Sequence, residues 1–122
     1  MDFSQVIGLE EVKSRLNAMV AENKIAHAIM LCDPFGSGAM PLALAFARLL
    51  LEKDESDTAM LDKGAHPDLH FSFPIYKKKN TDHPISDDYI QEWRDQLLRN
   101  PSFDTEDWLE DIKAENQQIV IY

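Results

Sequence analysis

The ten residues CDPFGSGAMP, Cys32 to Pro41, are those in this 122-residue chain whose types and spacing come nearest to chemistry on a phosphate. A working phosphate loop reads G-x-x-x-x-G-K-[ST]. Its glycines let backbone N–H groups close around the phosphates, its lysine bonds the terminal ones, and its hydroxyl holds magnesium. Laid on Asp33, Pro34, Phe35, Gly36, Ser37, Gly38, Ala39 and Met40, the pattern keeps only its second glycine, Gly38. Asp33 replaces the first glycine, Ala39 the lysine and Met40 the hydroxyl. A hydrogen bond to a charged group contributes roughly 1.5–3 kcal/mol, so losing the lysine alone weakens binding about tenfold to a hundredfold. An Asp33 carboxylate aimed at the site would add like-charge repulsion of up to about 4 kcal/mol. Without the hydroxyl, an anchor for the magnesium that neutralises charge in phosphoryl transfer is gone. The loop is expected not to hydrolyse ATP. The amides of Gly36, Ser37 and Gly38 keep the means to hold an anion at a helix start, although GSG between a strand and a helix also suits an ordinary flexible turn.

Other chemical constellations are weaker. His66 and His70 flank Asp68 in HPDLH, a spacing that would pair two metal ligands on a helix. Pro67 and the alternation after it indicate loop and strand instead, where the two histidines lie about 13 Å apart at about 3.3 Å per residue. A hydrolase built on them and on nearby acids is the weakest reading, and no metal is expected. His27 reads as a structural residue, and Cys32 as a small buried hydrophobe whose neighbour Asp33 opposes a thiolate. Trp93 and Trp108 fall on helical stripes and read as core, since no basic residues interleave with them around Trp108 to make a base-stacking surface. Lys77, Lys78 and Lys79 read as a solvated loop.

The elements around the loop follow from periodicity. Leu9, Val12, Leu16, Met19 and Val20 recur at helical spacing, with Lys13, Arg15 and Glu22 off that stripe and Phe3 and Ile7 leading into the core. AIMLC, residues 28–32, is too short for a helix and suits a buried parallel strand ended by Asp-Pro. Pro41 fits a first helical turn, and LALAFARLLLEK continues as a helix apolar on nearly every side, as if buried against a sheet. Residues 52–65 read as a loop or weak short helix anchored by Met60 and Leu61, and 77–86 as a second loop. Leu69, Phe71, Phe73 and Ile75 alternate as in a half-buried strand limited by Pro74. Ser86 is expected to cap a helix with Ile90, Trp93, Leu97 and Leu98 inward, ending before Asn100-Pro101. Thr105 starts another with Trp108, Leu109 and Ile112 inward. The closing run QQIVIY has β-branched residues and no turn after it, which reads as a chain that continues. Strand, glycine loop, helix, strand and further helices predict an α/β class with a parallel sheet.

Composition bounds the function. With 44% hydrophobic and 28% charged residues the chain lies in the ordinary globular range, and its longest apolar run is too short to span a bilayer. MDFSQVIG lacks the basic and apolar regions of a secretory signal, so a cytoplasmic protein with no membrane partner is expected. A single cysteine rules out an internal disulfide or a zinc site of two or more cysteines within these residues. The net charge of −10 divides into −1 through Leu51 and −9 from Glu52 onward. Such a surface repels phosphate and is not that of a strong nucleic-acid binder; it reads as a solvated face or as one turned to a basic partner.

FSQVIGLEEVKSRL, continuing through NKIAHAIMLCDPFGSGAMPLALAFARLLL, resembles the N-terminal part of bacterial clamp-loader subunits of the AAA+ family. There IGQ-E opens a first helix and HA-L-F-GP-G-GK runs into the nucleotide loop. HPDLHFSFP resembles the second-strand region of the same family. The resemblance spans nearly the whole chain, most specifically Phe3 to Leu51 and His66 to Pro74, and includes members whose phosphate loop cannot work. It implies an AAA+ P-loop NTPase-like parallel sheet with flanking helices, of which residues 1–122 are the N-terminal part. It also implies a catalytically silent stator without a cofactor. Its partners would be the other subunits of a hetero-oligomeric clamp-loader ring and, indirectly, the sliding clamp and primed DNA. A P-loop ATPase with an atypical loop is the alternative. The departures are a segment 52–64 without the four-cysteine zinc module common in the family, and a longer, more acidic stretch from Lys77 to Glu115. The acidic second motif, the sensor residues and the arginine offered to a neighbouring ATP would all lie beyond Tyr122.

Overall fold

A computed structural model describes all residues except 33–37, 78–82, 115–117 and 122. Two compact units are present, Met1–Asp62 and Lys63–Tyr122.

The first unit begins with a 3₁₀ turn, Phe3–Gln5, followed by α1 (Glu10–Ala21), α2 (Ala39–Leu51) and α3 (Glu55–Asp62). The Asp2 carboxylate accepts from the Ser4 amide at 2.8 Å and from the Ser4 hydroxyl, while the Asp2 amide donates to Gln5 Oε1 at 3.0 Å. The Ser4 hydroxyl, then its amide, hold the Asp2 carboxyl below its usual range. Val6, Leu16, Leu42 and Ala45 form the buried centre, with Phe3, Leu9, Val12, Met19, Leu31 and Phe46 packed around it. Val6, not Ile7, enters this core, and Ile7 is 95% exposed. Gly8 and Leu9, which follow, are both left-handed, at φ 69° and 60°, so α1 starts at a sharp change of chain direction. Lys13, expected off the buried stripe, is itself buried. Its Nζ donates to the Val6 carbonyl at 2.6 Å and to Glu10 Oε1 at 3.1 Å.

Residues 28–32 form neither helix nor ladder; Leu31 packs on the core, whereas Met30 is 84% exposed and Cys32 is exposed rather than buried. Among the described residues this unit holds no strand pair, and α2 packs on α1, α3 and the first turn with Leu49 and Leu50 partly open to solvent. The parallel sheet therefore stays an expectation carried by the sequence resemblance.

Residues 52–65 hold a full helix, α3. Its start is fixed by Asp54, whose carboxylate accepts from the Asp57 amide at 3.0 Å, and by Asp57, which accepts from the Lys53 amide at 3.0 Å. Arg48 on α2 then donates to Glu52 at 2.6 Å and to Asp62 at 2.7 Å, tying both ends of this segment to α2.

The second unit contains β1 (Pro74–Tyr76), a 3₁₀ turn Ser86–Tyr89, α4 (Ile90–Arg99), α5 (Thr105–Asp111) and β2 (Ile119–Ile121). The strands pair antiparallel with Pro74 opposite Ile121, Ile75 opposite Val120 and Tyr76 opposite Ile119. Burial alternates as expected from Leu69 to Ile75, although the ladder covers only its last two residues and Tyr76.

The core is aromatic. Phe73 and Trp93 stack at 4.2 Å and 6°, and Trp93 meets Phe103 and Trp108 edge-on at 5.0 Å. Such pairs add about 0.5–1.5 kcal/mol each beyond their burial. Side chains from the helical elements complete β1. Trp108 Nε1 donates to the Pro74 carbonyl at 2.7 Å, the Tyr89 hydroxyl to the Tyr76 carbonyl at 2.9 Å, and the Phe73 amide to Ser86 Oγ at 3.4 Å. Burial, followed by the neighbouring Tyr76, pushes the Tyr89 phenol well above its ordinary value. Ser86 is thus a buried strand contact and not a helix cap; Asp88 accepts from the Ile85 amide there instead. For α5 the cap is Asp104, one residue before Thr105, in a reciprocal pair with Asp107. On α4, Trp93 and Leu97 face inward, but Leu98 is 60% exposed because one further residue rotates it about 100° off the stripe.

Two outcomes are expected. Trp108→Ala should cost about 3–5 kcal/mol and Trp108→Phe about 1–2 kcal/mol, the latter from a part-buried carbonyl left without its donor; urea unfolding of each variant measures both. In the first unit, the Thr58 hydroxyl and then Arg48 hold the Glu52 carboxyl below its usual range. A carboxyl lowered on folding contributes stability above its unfolded pKa, near ~4.3, and that contribution is lost as pH falls through the lower folded value. Glu52→Gln should therefore flatten the acid limb of a thermal-stability profile below about pH 4.5 and leave its neutral limb parallel to that of the parent.

Candidate functional site: the remnant phosphate loop

Of the loop residues singled out by sequence, Asp33, Pro34, Phe35, Gly36 and Ser37 lie outside the described residues, and Gly38, Ala39 and Met40 lie within them. These three occupy the place where a nucleotide loop passes into its helix. Gly38 caps α2 at φ 108° and ψ 19°, and its carbonyl accepts the first helical bond from the Leu42 amide at 3.1 Å. Ala39 and Met40 are the first two residues of the helix, and Pro41 follows in the first turn, where its missing N–H costs no helical bond.

Gly38 is required here by backbone rather than by space. A Cβ would sit 3.5 Å from Leu9 Cδ1, an ordinary contact, but the positive φ is strained for any other residue. The same contact shows that Leu9, at the left-handed start of α1, packs beside the start of α2.

At the two positions that would carry the lysine and the hydroxyl, the structure places a methyl and a thioether, both half-buried. Neither can neutralise a phosphate or ligate magnesium. The first turn of α2 contains no acid, so nothing on the helix itself opposes an anion, and Arg48 in its last turn complements the dipole. Among the described residues of the loop, what remains is the weak, nonspecific attraction of a helix start.

Sequence reasoning missed an open groove of about 730 Å³ at the start of α1, lined by Phe3, Ser4, Val6, Ile7, Gly8, Glu10, Lys13, Ser14 and Asn17. Its cation is committed, since the Lys13 ammonium already bonds the Val6 carbonyl and Glu10. No periodicity signals such a groove, because it depends on the left-handed pair at Gly8 and Leu9.

The other expected sites resolve individually. His66 is buried and its Nδ1 accepts from the Asp68 amide at 3.1 Å, whereas His70 is exposed. Among the described residues, no three His, Cys, Asp or Glu side chains are grouped to hold a metal ion. His27, read as a structural residue, is exposed along with the rest of 21–30. Trp93 and Trp108 are core residues, as their spacing indicated. Lys77 is exposed, and Lys78 and Lys79 lie outside the described residues. No helix among the described residues is long and apolar enough to cross a membrane.

No protein-family model, curated protein or solved structure matches the chain.

The Gly38 geometry makes a definite expectation. Gly38→Ala should destabilise the first unit by roughly 1–2 kcal/mol, the usual cost of a left-handed Cβ. Ala43→Gly, on the exposed face of α2, should cost at most about 1 kcal/mol. Thermal melts of the two variants, compared with the parent, provide the check.

Proposed function

We propose that this chain forms part of a catalytically silent AAA+ subunit of the delta-prime kind in the bacterial DNA polymerase III clamp loader. It would act in the cytoplasm as a stator for the ATPase subunits that open the sliding clamp and place it on primed DNA. The observation that carries the reading is a helix beginning at Ala39 after a left-handed Gly38, with alanine and methionine in place of the phosphate-binding lysine and the magnesium-binding hydroxyl. A helix start without those ligands suits a subunit that supports ATP chemistry elsewhere in a ring. The resemblance of Phe3 to Leu51 and His66 to Pro74 to clamp-loader subunits supports the same assignment, which carries with it the expectation of an AAA+-like parallel sheet.

The acidic balance from Glu52 onward supports a role through protein neighbours more than through direct contact with DNA phosphates. Two exposed acidic helices, α3 and α5, carry much of that charge. The rival reading is a nucleotide-binding ATPase with an atypical loop, which the amides at the start of α2 would have to serve without a lysine.

Two measurements separate these readings. Mixed with the remaining clamp-loader subunits of its source organism, the full-length protein should enter the assembled complex on size-exclusion chromatography; failure to join any such complex overturns the proposal. Titrated with fluorescent ATP and magnesium, it should bind no tighter than the millimolar range and release no phosphate. Submicromolar binding, or hydrolysis abolished by Gly38→Ala, establishes the ATPase reading instead. Restoring the ligands with Ala39→Lys and Met40→Thr should tighten nucleotide binding about tenfold to a hundredfold.

A further inference from the structure

We draw no further inference here: the strongest candidate, the outer edge of β2 with its exposed Ile119 and Ile121, is an unpartnered apolar edge, and nothing in the structure shows what covers it.

Discussion

A strand of three residues cannot hold itself in place through a ladder of three residue pairs, and β1 is held because side chains supply what the ladder lacks. Pro74 and Tyr76 lie two residues apart, so their carbonyls point to the same edge, and that edge is completed by the Trp108 indole and the Tyr89 phenol. Ser86 receives the amide of Phe73, the residue just before the strand. Because the donors come from α5 and the 3₁₀ turn, the order of the aromatic core and the position of β1 are one constraint. Phe73, Trp93, Trp108 and Phe103 pack around the place where that constraint is met. Proline at the start of β1 suits this arrangement, since it has no N–H to leave unpaired.

The first unit is organised around a different economy. Two helices meet over four small and medium apolar residues, and the buried lysine of α1 uses its head as a donor to Val6. Arg48 plays the matching part on α2, where its guanidinium lies between Glu52 and Asp62 and is held in its charged form by both. Exposed pairs of this sort are individually weak, but an arginine shared by two carboxylates fixes the segment between them. Gly38, Ala39 and Met40 sit at the head of that same helix, so the features that order α2 also order them.

Much of this was legible from residue spacing. The stripes of α1, α4 and α5 and the start of α2 after Gly38 follow from apolar periodicity, proline and glycine, which act locally. The errors lie where tertiary context prevails. Ile7, expected to lead into the core, is exposed and Val6 is buried in its stead, beside two left-handed residues that spacing alone cannot indicate. Lys13 is buried because a carbonyl happens to await its ammonium. α3 forms from only two apolar anchors because Asp54, Asp57 and Arg48 supply bonds in place of burial. Residue type alone misplaces Ser86 and Cys32: Ser86 accepts from the Phe73 amide and lies inward, and Cys32 lies outward on a segment that touches the core through Leu31. At the candidate site, the chemical identities of Ala39 and Met40 needed no structure to read, while the left-handed turn at Gly38 and the groove beside α1 needed backbone angles.

Both tryptophans of the chain, Trp93 and Trp108, belong to the second unit, where their rings stand nearly perpendicular at 5.0 Å. The Trp93 indole N–H is buried and has no hydrogen-bond acceptor among the described residues. Two chromophores held so close and at such an angle, both shielded from water, give this unit its own optical signature. Near-ultraviolet dichroism and indole emission therefore follow residues 63–122, while the unit carrying the loop is dark to indole emission.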